Sequence, residues 1–480
     1  MKSIRNIAEL RLLMHRNERP IYFISASPFN LLGIDDWVGS FKFISYIDPF
    51  DGRHPNVFVP SKIAGFEPKS IEDINNHLLQ HPEVIDYITR RGGRPVAVFL
   101  MFDEKTEALC QELGIEVWHP PAKLRQRCDN KIETVRIGNK AGVRSVPNTL
   151  GPARTYEKLV CSARKAGLGA DLVVQTAFGD SGKTTFFIAS EDDYNRHAAK
   201  ISAENEVKIM KRINCRSATI EACTTASGTL VAPLMTEIVG KPELTPYKGG
   251  WAGNEIFANV FSEEICAKAR DMTIRLGDQL LQEGYRGCFN ADFLVVPEDD
   301  EVYLGELNPR ISGASSLINQ AAFAFADAPL FLFHLMGFSG IEYDIDVKEL
   351  NDRWAREEFI DSWSQVIIKS TEDSNEIVTH APASGIYRMA PDGKMFFDRY
   401  DYRRKGIESD EEAFFLRFTG HGDSLMKGRD LGALMVRGRM MDDEFELNER
   451  TCKWIKFFKS CYTSKPLTEV QCDKAKEPAR

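Results

Sequence analysis

The chain has 480 residues, 43% of them hydrophobic, and a formal net charge of -9. That length suffices for about three domains with ordinary cores, and the acidic balance argues against a nucleic-acid binder, which needs a basic face toward the phosphate backbone. The ten cysteines stand singly, without a CxxC pair or a histidine at zinc spacing, which favours reduced thiols in a cytoplasmic setting over a disulfide framework or a zinc site.

The opening stretch, MKSIRNIAELRLLMHRNERP, carries charges throughout and has no long apolar core, so a secretory signal is not expected. Residues 1 to about 125 alternate helix and strand patterns. The periodicity predicts a helix over Ile4 to His15 and strands over Ile21 to Ser25 and Pro95 to Phe102. A helix over Glu104 to Leu113, stopped by Gly114, and a strand over Ile115 to Trp118 follow. Strand-helix-strand order implies a parallel sheet. No GxGxxG fingerprint follows any of these strands, so the first domain is expected to contribute packing and part of a substrate pocket, not a dinucleotide site.

In RCDNKIETVRIGNKAGVRSVPNT, residues 127 to 149, a helix over Ile132 to Lys140 is expected, capped by Asp129 or Asn130 and stopped near Gly142. In DLVVQTAFGDSGKTTFFIA, residues 171 to 189, Gly179 and Gly182 flank Ser181 so that backbone N–H groups can converge on an anion, with Lys183 adding a charge. A Walker A loop is the competing reading, since AFGDSGKT differs from it only at Ala177. The β-branched and aromatic run Thr184 to Ile188 predicts a strand where a Walker A motif needs a helix.

Residues 207 to 225 fit two strands flanking a hinge. Residues 237 to 254, EIVGKPELTPYKGGWAGN, read as a glycine-rich loop in which Lys248, Trp251 and Asn254 line an acceptor pocket or simply cross the surface. The loop leads to a helix from Ser262 to Glu283. Two apolar strands follow, Phe289 to Val296 and Glu301 to Leu307, joined by the acidic turn at 297 to 300. Adjacent strands present Asp292 and Glu306 side by side, with Asn308 on the same face because side chains repeat every second residue. Acidic groups inside apolar strands are costly unless paired or holding a cation. The set is all oxygen, which suits Mg²⁺ or Mn²⁺. Arg310 can reach a phosphate or a substrate carboxylate as a bidentate fork.

The run Ala321 to Phe338 contains Asp327, Pro329 and His334, so it reads as buried helix and turn, not a membrane span. Beyond it come an acidic helical stretch, Gly340 to Trp354, and short strands at Trp363 to Lys369, Gly385 to Met389, Lys394 to Tyr400, Glu412 to Thr419 and Leu431 to Val436. A helix over Asn448 to Cys461 closes the chain before a charged tail.

The ordered set Asp292, then Glu306-x-Asn308-Pro309-Arg310-x-Ser312-Gly313, resembles the metal-binding end of the ATP-grasp superfamily. The resemblance spans roughly residues 125 to 335 and implies further roles. Lys131 contacts the nucleotide phosphates, the 171 to 189 hairpin is the phosphate-covering lid, and Met210, Lys211, Arg212 and Ile213 offer backbone groups to adenine. Gln175 stands where the family usually carries a lysine. The segment APASGIYR and the terminal helix are similar to the C-terminal domain of biotin-carboxylase-type members.

The expected fold is therefore α/β and α+β in three parts. These are an N-terminal α/β domain (1–125), an ATP-grasp domain (126–340) with a mobile lid at about 146–210, and a β-rich C-terminal domain (341–464), followed by a disordered tail (465–480). The resemblance implies an ADP-forming carboxylate-amine ligase that uses ATP and Mg²⁺ and works through an acyl phosphate, with Arg310 and Lys248 at the reacting groups. The expected partners are small, amino-acid-like carboxylate and amine substrates and a second copy of the chain, with no nucleic acid and no membrane. A biotin-carboxylase-like activity is the alternative, although RISGASS, residues 310 to 316, lacks the glutamate such enzymes use with bicarbonate. A nucleotide-binding regulator without turnover also stays open because of Gln175.

Overall fold

The computed structural model describes residues 4–63, 65–179 and 184–467. Its first third is a five-stranded parallel sheet in the order Val57–Phe58, Phe41–Ser45, Ile21–Ser25, Val96–Phe99, Glu116–Val117. The two central strands are buried at every residue, as befits parallel strands covered on both faces. The expected strands and the helix Glu104–Glu112 are present. The first helix starts later than expected, at Ile7, because Asn6 caps it by accepting from the Glu9 N–H.

A second unit, residues 148–211, is a four-stranded antiparallel sheet ordered Asn148–Gly151, Val207–Lys211, Leu172–Gln175, Thr185–Ile188. The helices Tyr156–Lys165 and Glu191–Ala203 pack on it. It has its own core of Leu159, Leu172, Val174, Phe186, Ile201 and neighbours.

The largest sheet has eleven strands. Its edge is Glu301–Asn308, followed inward by Gly287–Val296, Arg216–Thr225, Met235–Val239 and Trp251–Ile256. Alternation fixes its faces. Ala218, Ile220 and Ala222 point into an apolar cluster with the helix Glu263–Gln282, which leaves Ser217, Thr219 and Glu221 on the opposite face. The sheet continues without a break into Trp363–Lys369, Asp430–Arg437, Glu412–Arg417 and the hairpin Gly385–Met389 and Met395–Arg399. The C-terminal part is thus hydrogen-bonded to the middle of the chain through Trp251–Ile256.

Two expectations are corrected here. Of residues 237 to 254, read as a loop, 237–239 end the strand Met235–Val239 and 251–254 begin the strand Trp251–Ile256, both inside this sheet. Asn254 and Glu255 are buried, and their polar groups are satisfied. Asn254 accepts from Trp251 Nε1 and donates to Thr236 O, while Glu255 accepts from Ser364 and from the Met440 and Met441 N–H groups. Lys465 and Pro466, expected in a disordered tail, lie in the strand Thr463–Pro466, which pairs with Asn375–His380. Among the described residues no helix is long and apolar enough to cross a membrane.

Candidate nucleotide and metal site

Three cross-strand pairs set the geometry. Thr219 stands opposite Asp292, Asp292 opposite Glu306, and Asn290 opposite Asn308. All five side chains therefore share the face away from the helix Glu263–Gln282, and the three candidate metal ligands converge as their spacing implies. The ladder shifts register between Asp292 and Phe293, a bulge of the kind that re-aims side chains beside functional sites.

Asp292 Oδ1 accepts from Thr219 Oγ1 at 2.7 Å and Asn290 Nδ2 at 2.7 Å, and its Oδ2 accepts from Asn308 Nδ2 at 2.9 Å. Burial and the facing charge of Glu306 push its pKa up to about 6, against the pull of those hydrogen bonds and of Arg310. Two carboxylates held side by side in a partly buried face favour a cation between them. Their oxygen donors, with the Asn308 amide, fit a hard divalent ion. Among the described residues no group of three or more His, Cys, Asp or Glu side chains makes an alternative metal centre. Asn308 Oδ1 is held by Arg310 Nη2 at 2.8 Å, so ligation by that oxygen requires the amide to turn. Arg310 itself keeps a buried Nε that has no hydrogen-bond partner among the described residues.

The helix Lys131–Lys140 begins at the site because Asn130 caps it, accepting from the Ile132 and Glu133 N–H groups. The Lys131 backbone N–H donates to Ala177 O at 2.9 Å, and its ammonium is paired with Glu306. Lys131 thus joins the metal strand to the approach of the glycine loop. Gly179 has φ 139° and leaves no room for a Cβ beside Thr184, so glycine is required there. Ser181, Gly182 and Lys183 lie outside the described residues. The chain re-enters as the strand Thr185–Ile188, not a helix, which rules out the Walker A reading. Gln175 donates from Nε2 to Thr185 Oγ1 at 3.1 Å, and its buried Oε1 has no hydrogen-bond partner among the described residues.

At the hinge, Met210 is paired on both sides within its strand. The N–H groups of Lys211 and Arg212 already donate to Pro147 O and Asp171 O, each at 3.0 Å. Of the expected hinge, these bonds occupy the N–H groups of Lys211 and Arg212. Lys248 is exposed and stands 5.5 Å above the Phe187 ring of the hairpin, so it touches the 148–211 unit as well as flanking the sheet.

Three further charged groups, two on this sheet and one on the strand Val207–Lys211, border the site without having been expected there. Glu221, 5% exposed, accepts from Ser312 Oγ at 2.7 Å and Ser315 Oγ at 2.6 Å. Burial, moderated by those hydroxyls and Arg310, pushes its pKa up to about 7. Glu237 is raised by burial and by the charges of Asp292 and Glu306. Lys208 is fully buried, and its pKa is brought down to about 8 by burial, with Glu306 opposing and Lys131 reinforcing the shift. A charged residue in the apolar run Val207 to Met210, and the polar alternation Ser217, Thr219, Glu221, were the available signals. The loop carrying Ser312 is tied to the first domain, since Asn30 Nδ2 donates to Ser312 O at 2.7 Å.

A parallel α/β domain, a four-stranded glycine-loop unit and a sheet bearing Asp292 and Glu306-x-Asn308 on adjacent strands together make up the ATP-grasp fold. Comparison with known proteins agrees. The chain is 24% identical over 264 residues to the C-terminal section of the carbamoyl phosphate synthase large chain of Methanopyrus kandleri, covering 53% of this chain and 45% of that one. It is 27% identical over 264 residues to the carbamoyl phosphate synthase large chain of Vibrio vulnificus, 22% of that chain. The chain thus spans less than half the length of these curated relatives.

Among solved structures, the biotin carboxylase of Campylobacter jejuni superposes with a TM-score of 0.61 at 12% identity, over 93% of this chain and 92% of that one. An ADP complex of N5-carboxyaminoimidazole ribonucleotide synthetase superposes with a TM-score of 0.55 at 14% identity, over 92% and 98%. At these identities the likeness is one of fold. No family model matches the sequence.

Proposed function

We propose that the protein is an ATP-dependent, ADP-forming ligase that joins a small carboxylate to an amine through an acyl phosphate. The observation carrying this reading is the convergence of Asp292, Glu306, Asn308 and Arg310 on one sheet face, with Lys131 linking that face to the glycine loop. Asp292, Glu306 and Asn308 would hold Mg²⁺, which when bound offsets charge on the nucleotide phosphates. Lys131, Gln175, Gly179 and the loop at 181–183 would bind those phosphates, and the hinge at 210–213 would take adenine.

A substrate carboxylate oxygen attacks the γ-phosphorus, the bond to the β-phosphate oxygen breaks, and ADP leaves. Arg310 stabilises the charge on the transferred phosphoryl oxygens. The amine nitrogen then attacks the acyl carbon, loses a proton, and phosphate departs. Closure of the 148–211 unit, with Lys248 against Phe187, excludes the water that would hydrolyse the acyl phosphate. No protein nucleophile is needed. The nine described cysteines are free thiols, which supports a cytoplasmic setting. A homodimer is proposed on the likeness to the biotin carboxylase domain dimer of the Hydrogenobacter thermophilus 2-oxoglutarate carboxylase, whose TM-score is 0.60.

One observation favours the carboxylase alternative. Glu221 brings a carboxyl group near Arg310 from the strand Arg216–Thr225, the third strand in from the edge, although residues 310 to 316 contain none. Phosphate release from MgATP separates the readings. Release that needs both a carboxylic acid and an amine, screened as amino-acid mixtures, is the expected result. Bicarbonate-dependent release would replace it with the carboxylase reading, and nucleotide binding without release under any mixture would leave a regulator.

A further inference from the structure

Lys208 is held in a position that needs a reason. It sits in the strand Val207–Lys211 between apolar neighbours, its side chain fully buried. An ammonium has three N–H donors and no acceptor. Among the described residues Lys208 gives one hydrogen bond, to Gly305 O at 3.2 Å. The carboxylate near it, Glu306, is already paired with Lys131. A buried cation with one acceptor among the described residues is costly unless something else accepts its remaining donors.

The ladder shows where that acceptor would stand. Lys208 is directly opposite Gln175, and Gln175 directly opposite Thr185, so the three side chains form one row across the hairpin sheet on one face. The Lys208 ammonium points from this row to the strand bearing Glu306 and Asn308. It therefore lies between the glycine hairpin and the metal face, where the phosphate chain of a nucleotide must run. Gln175 beside it has a buried Oε1 that finds no hydrogen-bond partner among the described residues, a second polar atom in the row.

We propose that Lys208 is a ligand of the nucleotide phosphates, supplying from strand 207–211 the positive charge that strand 172–175 lacks at Gln175. The inference rests on the nucleotide-site reading above and deepens it. The charge has moved one strand across the hairpin while keeping the same row. Gln175 then acts as a neutral donor and acceptor beside the cation. Its neutrality is useful, because a second ammonium directly opposite Lys208 would repel it.

The alternative is a purely structural role in which Lys208 fastens the hairpin unit to Gly305, and the two roles separate by ligand. Binding of MgATP, ADP and adenosine is measured by calorimetry on the wild type and on Lys208→Met, Lys208→Gln, Lys131→Met and the double variant Lys208→Met/Gln175→Lys, with thermal unfolding recorded for each. A phosphate ligand predicts that Lys208→Met weakens MgATP and ADP by roughly 10-fold to 100-fold, as for loss of a charged hydrogen bond, and leaves adenosine unchanged. The double variant then recovers most of the loss, because its lysine occupies the same row.

Unchanged nucleotide affinity in Lys208→Met, with Lys131→Met weakened, would overturn the proposal and leave the nucleotide site standing. Equal loss for ATP and adenosine, or a loss that Gln175→Lys does not repair, would also overturn it in favour of the structural role. If Lys208→Met does not fold, Lys208→Gln is read by the same criteria. A wild type that binds none of the three ligands would sink the nucleotide site itself, and this inference with it.

Discussion

Glu306 faces Asp292 across the ladder and is paired with Lys131, so one substitution tests several contacts at once. Glu306→Gln keeps the shape and removes the charge, and is expected to lower ATP turnover on the order of 10²-fold or more with the fold intact. Circular dichroism together with phosphate release checks this. Near-normal turnover would remove Glu306 from the site. A second residue-scale test concerns Gly313, where an added Cβ would meet the Trp251 ring at 2.2 Å. Gly313→Ala should push Trp251 away from Asn254, to which its Nε1 donates at 3.2 Å. A shift in tryptophan fluorescence and reduced turnover are the expected signs, and an unchanged spectrum would show that the ring accommodates the methyl group.

The convergence of Asp292, Glu306 and Asn308 was legible because a period of two on paired strands fixes a common face. Lys208 and Glu221 were not legible. Their partners, Gly305 O for one and Ser312 and Ser315 for the other, are 97, 91 and 94 residues away in the chain, and only the folded sheet brings them together.

At the scale of elements, the strand Trp251–Ile256 is where the reading failed, and packing explains why. Glycines and polar residues in a row suggest a loop, yet Gly253 is there because a Cβ would stand 2.0 Å from Gln365 O on the adjacent strand. Gly253→Ala is therefore expected to destabilise the junction between the middle and C-terminal strands by about 1–3 kcal/mol, the ordinary range for overpacking. Denaturant unfolding measures it, and a loss below about 0.5 kcal/mol would show that the strands can part locally.

The strand Glu412–Arg417 carries a pH-dependent term. Burial opposes ionisation of Glu412, but hydrogen bonds from Arg399, the Glu408 N–H and Arg388 outweigh it and hold its pKa at about 2, below the ordinary 4.5. A carboxyl with a lowered folded-state pKa stabilises the fold above its unfolded value, and that stability is lost as pH falls from about 4.5 toward 2. The unfolding midpoint of the wild type should drop through that window, and Glu412→Gln should flatten this part of the profile. Parallel profiles for the two proteins would show that other carboxyls dominate.

At the scale of the whole molecule, the three expected parts are recognisable, but the C-terminal strands are an extension of the central sheet. Hydrophobic patterning located the individual strands, whereas the joining of Trp251–Ile256 to Trp363–Lys369 depends on long-range pairing that local pattern does not encode. The unit at 148–211 has a separate core, and under the proposed function it is the part that closes over the nucleotide. Nucleotide binding is expected to slow amide exchange in Leu172–Gln175 and Thr185–Ile188 more than in the buried central strand Arg216–Thr225. Uniform slowing across all three would point to global stabilisation without closure.

Every functional statement returns to the face shared by Asp292, Glu306 and Asn308. The most direct measurement is the dependence of ATP affinity on Mg²⁺ in the wild type and in Asp292→Asn/Glu306→Gln, with adenosine as the metal-independent control. Mg²⁺ should tighten ATP binding in the wild type, the double variant should lose this tightening, and adenosine should bind both proteins alike. A double variant in which Mg²⁺ still tightens ATP binding to the wild-type extent would contradict the metal-site assignment.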